Sequence, residues 1–318
     1  MGAYIIRRLV MALLIVIIVT ALVFIVMRMM PGDPILFYLS QDQLYSFSQE
    51  QIQNLRHEYG LDKPIVLQYV DWVGKTVTGN FGYSLSYRKP VTTLIGSTLP
   101  VTLYIGVISF IVGNVIGILA GVICAVRRGG VLDTVVTTIA NIGITIPTFW
   151  LAILMIYLFS LKLGWFPTHG FVWPWEDLSQ SLKMSVMPVF CSCIYAIGGM
   201  ARQTRSVLLE VVRQDYVRTA WAKGLTERKV ITKHVLKNGF IPLFTLLGMG
   251  IPAILGGSVI VEQVFNISGM GRLMVNATFS LDYAVVEAIV LISAVMIVLS
   301  NLVVDISYGW LDPRVSYS

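Results

Sequence analysis

The chain has 318 residues, of which 56% are hydrophobic and only 13% are charged. Soluble domains are usually about 45–50% apolar and about 25% charged, so the excess of apolar side chains indicates that lipid is the solvent. This composition excludes a secreted disulfide scaffold, a disordered chain and an ordinary cytosolic enzyme. The three cysteines lie in apolar stretches and the three histidines are far apart, so neither a disulfide framework nor a zinc site is predicted.

Six apolar segments meet or approach the length of about 20 residues that a helix needs to cross a bilayer. They are residues 9–27, 99–126, 135–161, 186–200, 240–261 and 284–304, of which the fourth is the shortest. The first exceeds the apolar run of a signal peptide and no small-residue cleavage site follows it, so it is predicted to be retained. The predicted fold class is an all-α polytopic membrane protein with six transmembrane helices.

Lysine and arginine in the short loops predict the orientation. With the N-terminus in the cytoplasm, the inner side holds 14 basic residues and the short outer loops hold three. The long outer segment, residues 30–98, counts for little because long loops cross largely regardless of charge. Both termini are therefore predicted to be cytoplasmic. The net charge of +6 reflects this topology, and nucleic-acid binding is not predicted.

Two segments outside the membrane are long enough for a function. Residues 30–98 contain a predicted short helix at 48–59 and a turn-rich stretch after it, and form either a capping layer or a docking surface. Residues 202–239 are cytoplasmic and carry nine basic and three acidic side chains. They are predicted to form two helices, 207–223 stopped by Gly224, and a second capped by Thr226 and ended by Asn238-Gly239. This hairpin either receives a protein partner or rests on anionic headgroups.

None of the six predicted spans carries a charged residue at its midpoint. The two acidic residues of the sixth span, Glu287 and Asp305, lie near its ends. A proton- or ion-coupled carrier commonly needs such a charge. Asn114 and Asn141 are predicted to hydrogen-bond between helices. Four residues mark the third and fifth spans as breakable, which suits a hinge, a pathway lining or close packing. They are Pro147, Pro252, Gly248 and Gly250.

The hairpin sequence Asp215-Tyr216-Val217-Arg218-Thr219-Ala220-Trp221-Ala222-Lys223-Gly224-Leu225 resembles the coupling loop of ABC importer permeases, in the oligopeptide/dipeptide/nickel family. The similarity runs nearly end to end, and the long outer segment and final Asp-Pro-Arg are typical of the B-type of the two paired permeases. The other matching motifs are Pro31-Gly32-Asp33-Pro34, Gly60-Leu61-Asp62-Lys63-Pro64, Gly79-Asn80-Phe81-Gly82, Leu99-Pro100-Val101-Thr102-Leu103, Pro147-Thr148-Phe149-Trp150, His234-Val235-Leu236-Lys237-Asn238, Val261-Glu262-Gln263-Val264-Phe265, Gly269-Met270-Gly271-Arg272 and Leu311-Asp312-Pro313-Arg314.

The resemblance implies that the short helix before Gly224 docks in a groove of an ATPase subunit. Asp215, Tyr216, Ala220 and Gly224 would shape the docked helix, and Arg218 and Lys223 would meet the ATPase surface. The chain departs from the general importer loop by placing Arg218 at its Glu position, Thr219 at its first Ala and Lys237 at its Pro, as the peptide branch commonly does.

The resemblance further implies a type I ABC importer permease fold. The first transmembrane helix is 1–29, the extracytoplasmic segment 30–98, the five-helix transmembrane domain 99–307 and the cytoplasmic tail 308–318. The chain would be half of the translocation pathway of an ATP-driven peptide importer in the lipid of a bacterial or archaeal inner membrane. Its partners would be a homologous second permease, two ATP-binding subunits and an extracytoplasmic solute-binding protein.

This chain lacks a phosphate-binding loop, so it is predicted to be no enzyme and to bind no cofactor itself, while the ATPase subunits use ATP and Mg. Two alternatives stay open at this stage. One is a nickel or glutathione importer permease of the same family, and the other is an ATP-independent secondary carrier. A membrane anchor or scaffold would need neither the hairpin nor the breakable helices.

Overall fold

A computed structural model describes residues 2–32, 35, 48–58, 60–256 and 259–311. The chain divides into two compact units, one of Met1–Val101 with Ser268–Leu299 and the other of Thr102–Ile267 with Ser300–Ser316. Several positions singled out in the sequence lie outside the described residues. They are Asp33 and Pro34, Tyr59 at the end of the predicted outer helix, and Asp312-Pro313-Arg314 with the rest of the tail.

The described elements are helical apart from one antiparallel hairpin of two short strands, in which Tyr83 lies opposite Pro90. In chain order they are α1 (Gly2–Met29), α2 (Gln49–Glu58), α3 (Ile65–Val77), β1 (Tyr83–Ser84), β2 (Lys89–Pro90), α4 (Val91–Val126), α5 (Val131–Thr145), α6 (Thr148–Met155), the π-helix Ile156–Lys162, α7 (Leu178–Val212), α8 (Asp215–Ala222), α9 (Glu227–Val230), the π-helix Ile231–Leu236, α10 (Lys237–Gly250), α11 (Ala253–Gly256), α12 (Val259–Val264), α13 (Met270–Phe279) and α14 (Tyr283–Leu311). The all-α class is confirmed.

Four described helices are long and apolar enough to cross a bilayer, namely α1, α4, α7 and α14. A fifth span is obtained if α5 and the helix after it are counted as one bent pair, which turns by 102°. The predicted span 240–261 is divided among α10, α11 and α12, because the chain breaks after Gly250. The number six therefore stays a prediction, while a multi-pass membrane protein is confirmed.

In the first unit, α3 packs against α1 through aromatic side chains. The rings of Tyr69 and Trp72 lie 5.2 Å and 5.9 Å from the ring of Phe24. Arg28, at the end of α1, donates to Gln68 of α3 at 2.7 Å and to Glu287 of α14 at 2.5 Å. Because Glu287 is buried, the paired arginine offsets the desolvation of its carboxylate.

In the second unit, α4 packs along α7 through glycines at three successive turns. A Cβ on Gly113 would lie 3.1 Å from the Cβ of Cys193, on Gly117 2.7 Å from that of Met200, and on Gly121 2.5 Å from that of Thr204. We call Gly113, Gly117 and Gly121 the glycine ladder. Because they have no side chain, the two helices approach within backbone contact, as small residues allow in lipid.

Candidate functional site

The short helix α8 is the centre of the predicted coupling segment. It begins after Gln214, whose backbone is extended, and ends at Lys223. Gly224 follows with φ +74°, a left-handed conformation that other L-residues adopt only with strain. The Gly224 N–H donates to the Trp221 carbonyl at 2.9 Å, and the Leu225 N–H donates to that of Ala220 at 3.4 Å. This pair of bonds is a Schellman motif, so the predicted chain reversal at Gly224 is confirmed.

One face of α8 is anchored to the rest of the second unit. Val217 and Ala220 are 0% and 4% exposed and form a buried apolar cluster with Leu208 of α7, Val230 of α9 and Val235 of the π-helix that follows. Ala220 is therefore small because it packs against this chain's own helices. Burial of this face fixes α8 at the end of α7.

The opposite face of α8 is exposed and polar, and it is flanked by two exposed aromatic rings, those of Tyr216 and Trp221. Tyr216 is 43% exposed, and the side chain of Arg218 is 71% exposed. Arg218 forms a loose ion pair with Asp215 at 3.7 Å, which solvent screens, so both groups are available to a partner. Thr219 and Lys223 are exposed as well. The structure thus brings the predicted polar contact residues together on one surface.

The hairpin around α8 differs from its prediction in three respects. Thr226 occupies the N-cap position of α9 as predicted, but its side chain makes no capping hydrogen bond. The predicted helix 207–223 is split, because α7 continues to Val212 and the chain turns at Arg213 and Gln214. The prediction that Asn238-Gly239 ends the second helix is wrong, since α10 runs through both to Gly250. Gly239 is instead a packing residue, because a Cβ there would lie 2.5 Å from Leu208 Cδ2. Asn238 donates to the His234 carbonyl in the preceding turn.

The two breaks predicted at proline are present. Pro147 precedes α6, where the chain turns by 102° between α5 and the following helix. Pro252 lies in the turn between α10 and α11. The neighbouring glycines serve close packing: a Cβ on Gly248 would lie 2.7 Å from Val304 Cγ1, and one on Gly250 would lie 3.1 Å from the Phe110 ring.

A cavity of about 290 Å³ lies beside the second break, between α4, α7 and α10–α11. Its lining includes Gly250 and Ile254 from the break, and none of the described residues that line it is charged. Ser109 and Ser192 contribute buried hydroxyl oxygens that have no hydrogen-bond partner among the described residues. A buried hydroxyl without a partner costs free energy, so this cavity suits an uncharged polar group that accepts or donates a hydrogen bond.

Three buried polar contacts were not anticipated from the sequence. Arg205 of α7 forms a bidentate pair with Asp133 of α5, with Nε–Oδ1 at 2.7 Å and Nη2–Oδ2 at 2.8 Å. Glu262 is fully buried and accepts from Thr102 Oγ1 at 2.7 Å. The Asn114 amide donates to the Phe110 carbonyl at 2.8 Å, four residues back in its own helix, whereas the sequence predicts a bond between helices. An acidic residue within an apolar run, as at Glu262, is the signal that was available.

The broken apolar helices and the exposed short helix seated on the core fit a membrane transport permease. Residues 117–317 match the family described as "Binding-protein-dependent transport system inner membrane component", and residues 1–106 match its N-terminal companion. The chain belongs to this family, which comprises the permeases of ABC importers.

A relative and a solved structure agree with this family. The chain is 39% identical to the oligopeptide transport system permease protein AppB of Bacillus subtilis (strain 168), with 100% of each chain covered. The fold is similar to that of the MetNI methionine ABC transporter, solved in inward-facing conformations, with a TM-score of 0.57 and 20% identity. That match covers 70% of this chain and 97% of the MetNI chain. The type I importer permease fold is therefore confirmed.

Proposed function

We propose that this permease forms half of the translocation pathway of an ATP-driven peptide importer and couples to an ATPase subunit through α8. The observation that carries the proposal is the two-sided construction of that helix. Val217 and Ala220 seat it on the chain's own core, while Tyr216, Arg218 and Lys223 are exposed. A helix anchored on one face and polar on the other transmits force between its seat and a bound partner.

The peptide cargo is supported by the relative named as an oligopeptide permease, which aligns with this chain from end to end. The uncharged cavity beside Pro252 is consistent with such a cargo, because main-chain amides are neutral and hydrogen-bond with hydroxyl groups. Peptides of different sequence share that main chain. A pathway with an uncharged lining can therefore pass many sequences.

Movement at α8 would reach the pathway through the helices that hold it. The cluster around Val217 includes Leu208 near the end of α7, and the glycine ladder joins α7 to α4. Closure of two ATPases would tilt this pair, while the breaks at Pro147 and Pro252 let adjoining segments rotate. The pathway would thereby open outward, and inward after hydrolysis.

The partners follow from the family: a homologous second permease, two ATP-binding subunits and an extracytoplasmic solute-binding protein. ATP and Mg are bound by the ATP-binding subunits, and this chain supplies coupling and pathway rather than catalysis. Residues 99–307 form the transmembrane domain in an inner membrane. Both termini and the 202–239 hairpin face the cytoplasm, in agreement with the positive-inside bias.

The test is a mild-detergent pull-down of the chain from its own membranes, with mass spectrometry of what co-purifies. We expect a second permease and two ATP-binding subunits in wild type. Arg218→Glu should lower recovery of the ATP-binding subunits, whereas Lys183→Glu, the same charge change at an exposed site predicted to lie outside, should not. A homo-oligomer without ATPase would refute the importer and favour a secondary carrier.

Cargo is tested separately by uptake of labelled di- and tripeptides into reconstituted vesicles with the solute-binding protein present. We expect unlabelled peptides to compete. Competition by Ni²⁺ or glutathione alone would instead assign the chain to the nickel or glutathione importers of the same family.

A further inference from the structure

A second cavity, of about 620 Å³, lies between α5 and the last turns of α7. Its charged lining consists of four arginines and one glutamate, Arg128, Arg202, Arg205, Arg213 and Glu210. Thr137, Asn141 and Ser206 add neutral hydrogen-bonding groups to the same wall. The cavity therefore has a net positive lining with neutral donors, which is the chemistry that recognises a phosphate group.

One of the four arginines, Arg205, is neutralised by a buried carboxylate, so the net positive charge of the lining comes from the other three against Glu210. Arg205 is held by both oxygens of Asp133, and one of those oxygens also accepts from the Gly129 N–H at 2.9 Å. This arrangement orients the guanidinium of Arg205 and the turn that leads into α5. Arg128, Arg202 and Arg213 are exposed around it, so their charges are available to an anion.

An apolar stripe adjoins the cavity on α5. Val135, Ile139 and Ile142 are 46%, 61% and 52% exposed, and they lie on one face at three-to-four spacing. Val136 and Ala140, their immediate neighbours, line the cavity itself. A phosphate site that continues into an exposed apolar strip matches a molecule with an anionic head and hydrocarbon tails.

We propose that this cavity binds the headgroup phosphate of an anionic phospholipid, whose acyl chains lie along the α5 stripe. The cavity lies at the ends of α5 and α7 that the positive-inside bias places on the cytoplasmic side. The bound lipid would therefore belong to the cytoplasmic leaflet. Basic pockets between transmembrane helices on that side bind anionic headgroups in other membrane proteins. The proposal concerns a lipid site distinct from the uncharged cavity assigned to cargo.

The experiment uses the whole transporter, purified in mild detergent after reconstitution with equal phosphatidylglycerol and phosphatidylcholine, and measures retained lipid by native mass spectrometry. The test variant is Arg128→Gln/Arg202→Gln/Arg213→Gln, which leaves the Arg205–Asp133 pair intact. The matched control is Arg228→Gln/Lys229→Gln/Lys233→Gln. The control removes three positive charges from exposed residues of the hairpin 202–239, and none of the three lines the cavity.

We expect wild type and control to retain phosphatidylglycerol over phosphatidylcholine. The test variant should lose that preference by about tenfold or more, since each basic residue near an anionic surface contributes roughly fivefold. Equal retention by test variant and wild type, or an equal loss in the control, would overturn the proposal.

Competition experiments distinguish a bound lipid from other anions that could occupy the cavity. Inorganic phosphate and glycerophosphoglycerol, which lack acyl chains, should leave the retained lipid in place. Displacement by either would reassign the cavity to a soluble phosphate. Displacement by a peptide with a free carboxylate would reassign it to cargo, and both results would refute the lipid site.

Discussion

Gly224 is the residue whose backbone conformation matters most to the coupling segment. Its φ of +74° closes the Schellman motif that ends α8, and a Cβ added there would meet no described atom within 4 Å. A substitution at Gly224 therefore acts through backbone strain rather than through a steric clash. The cost of a left-handed conformation is about 1–2 kcal/mol for a residue with a Cβ, and more for a β-branched one.

We expect Gly224→Val to abolish most transport while the chain still inserts in the membrane, because the strained turn would reorient α8. Peptide uptake and ATPase stimulation in vesicles provide the measurement. Gly164→Val is the matched control, since Gly164 has φ +65° and similar room for a side chain but lies outside the hairpin. Normal uptake by Gly224→Val would contradict the coupling role of this loop.

A second residue-scale prediction concerns the pH dependence of an ion pair at α3. The Lys63 ammonium donates to Asp71 at 2.5 Å, and this hydrogen bond lowers the pKa of the Asp71 carboxyl. A lowered pKa stabilises the folded state above the unfolded value of about 3.9, and that contribution disappears as pH falls through the lowered pKa. Both side chains are half-exposed, so solvent screens the ion pair and its contribution to the stability of the folded state is small.

We expect Asp71→Asn to reduce hydrogen-exchange protection at the start of α3 near neutral pH, with the difference from wild type shrinking below about pH 4 and vanishing only below the lowered pKa of Asp71. Comparing the two proteins at each pH cancels the intrinsic exchange rate. A difference that persists unchanged in acid would show that the amide substitution acts through something other than the ion pair.

At the scale of elements, the Asp133–Arg205 pair joins α5 to α7. The Asp133 side chain is 7% exposed and that of Arg205 is 32% exposed. Asp133→Asn should lower the free energy of unfolding by about 1–3 kcal/mol, less than for a fully buried pair because Arg205 retains some solvent. Thermal unfolding in detergent is the measurement.

The double variant Asp133→Asn/Arg205→Met should recover part of that loss, because it leaves no uncompensated charge. Asp71→Asn, which breaks a half-exposed pair, serves as control and should change stability by under about 0.5 kcal/mol. Additive losses in the double variant would indicate that the two side chains do not stabilise each other.

The break at Pro252 separates α10 from α11 and borders the uncharged cavity. Proline within a helix costs about 3 kcal/mol, so Pro252→Ala should favour a continuous helix and slow transport. Pro242→Ala is the matched control because Pro242 is exposed within α10, where the helix already continues. The measurement is the rate of peptide uptake at equal expression of the two variants. If both substitutions slow uptake equally, the break at Pro252 is not a hinge of the transport cycle.

The elements are predictable from the sequence to different degrees, for physical reasons. Long apolar runs predict α1, α4, α7 and α14, because the bilayer sets their length whatever they pack against. The chain reversal at Gly224 follows from a local conformational preference. In contrast, the predicted helix end at Asn238-Gly239 is wrong, since the packing of Gly239 on Leu208 outweighs the local signal.

The residues of the candidate site also divide into those that the sequence predicts and those that only the structure shows. The coupling residues are contiguous in sequence, and the structure collects them on one helix, although their docking role stays a prediction. Asp133 and Arg205 are separated by 72 positions, and Thr102 and Glu262 by 160. A single sequence does not indicate which distant residues come into contact, so these two pairs could be identified only from the structure.

For the whole molecule, the orientation in the membrane rests on the loop charges and can be measured directly. The three native cysteines are buried, so an introduced one can be labelled selectively. In right-side-out vesicles, an impermeant maleimide should label Trp175→Cys, whose native residue is 74% exposed. It should label Arg228→Cys only after permeabilisation. The opposite pattern would reverse the topology and place both termini outside.

The glycine ladder limits how the second unit can move. Because α4 and α7 touch at three successive turns, sliding one along the other would disrupt all three close contacts together. We therefore expect the two helices to tilt together as one rigid unit, and α7, with 35 residues, is about 50 Å long. Its end carries the seat of α8. We therefore expect a tilt imposed at α8 to move the far end of α7 by a distance that the length and stiffness of the helix set.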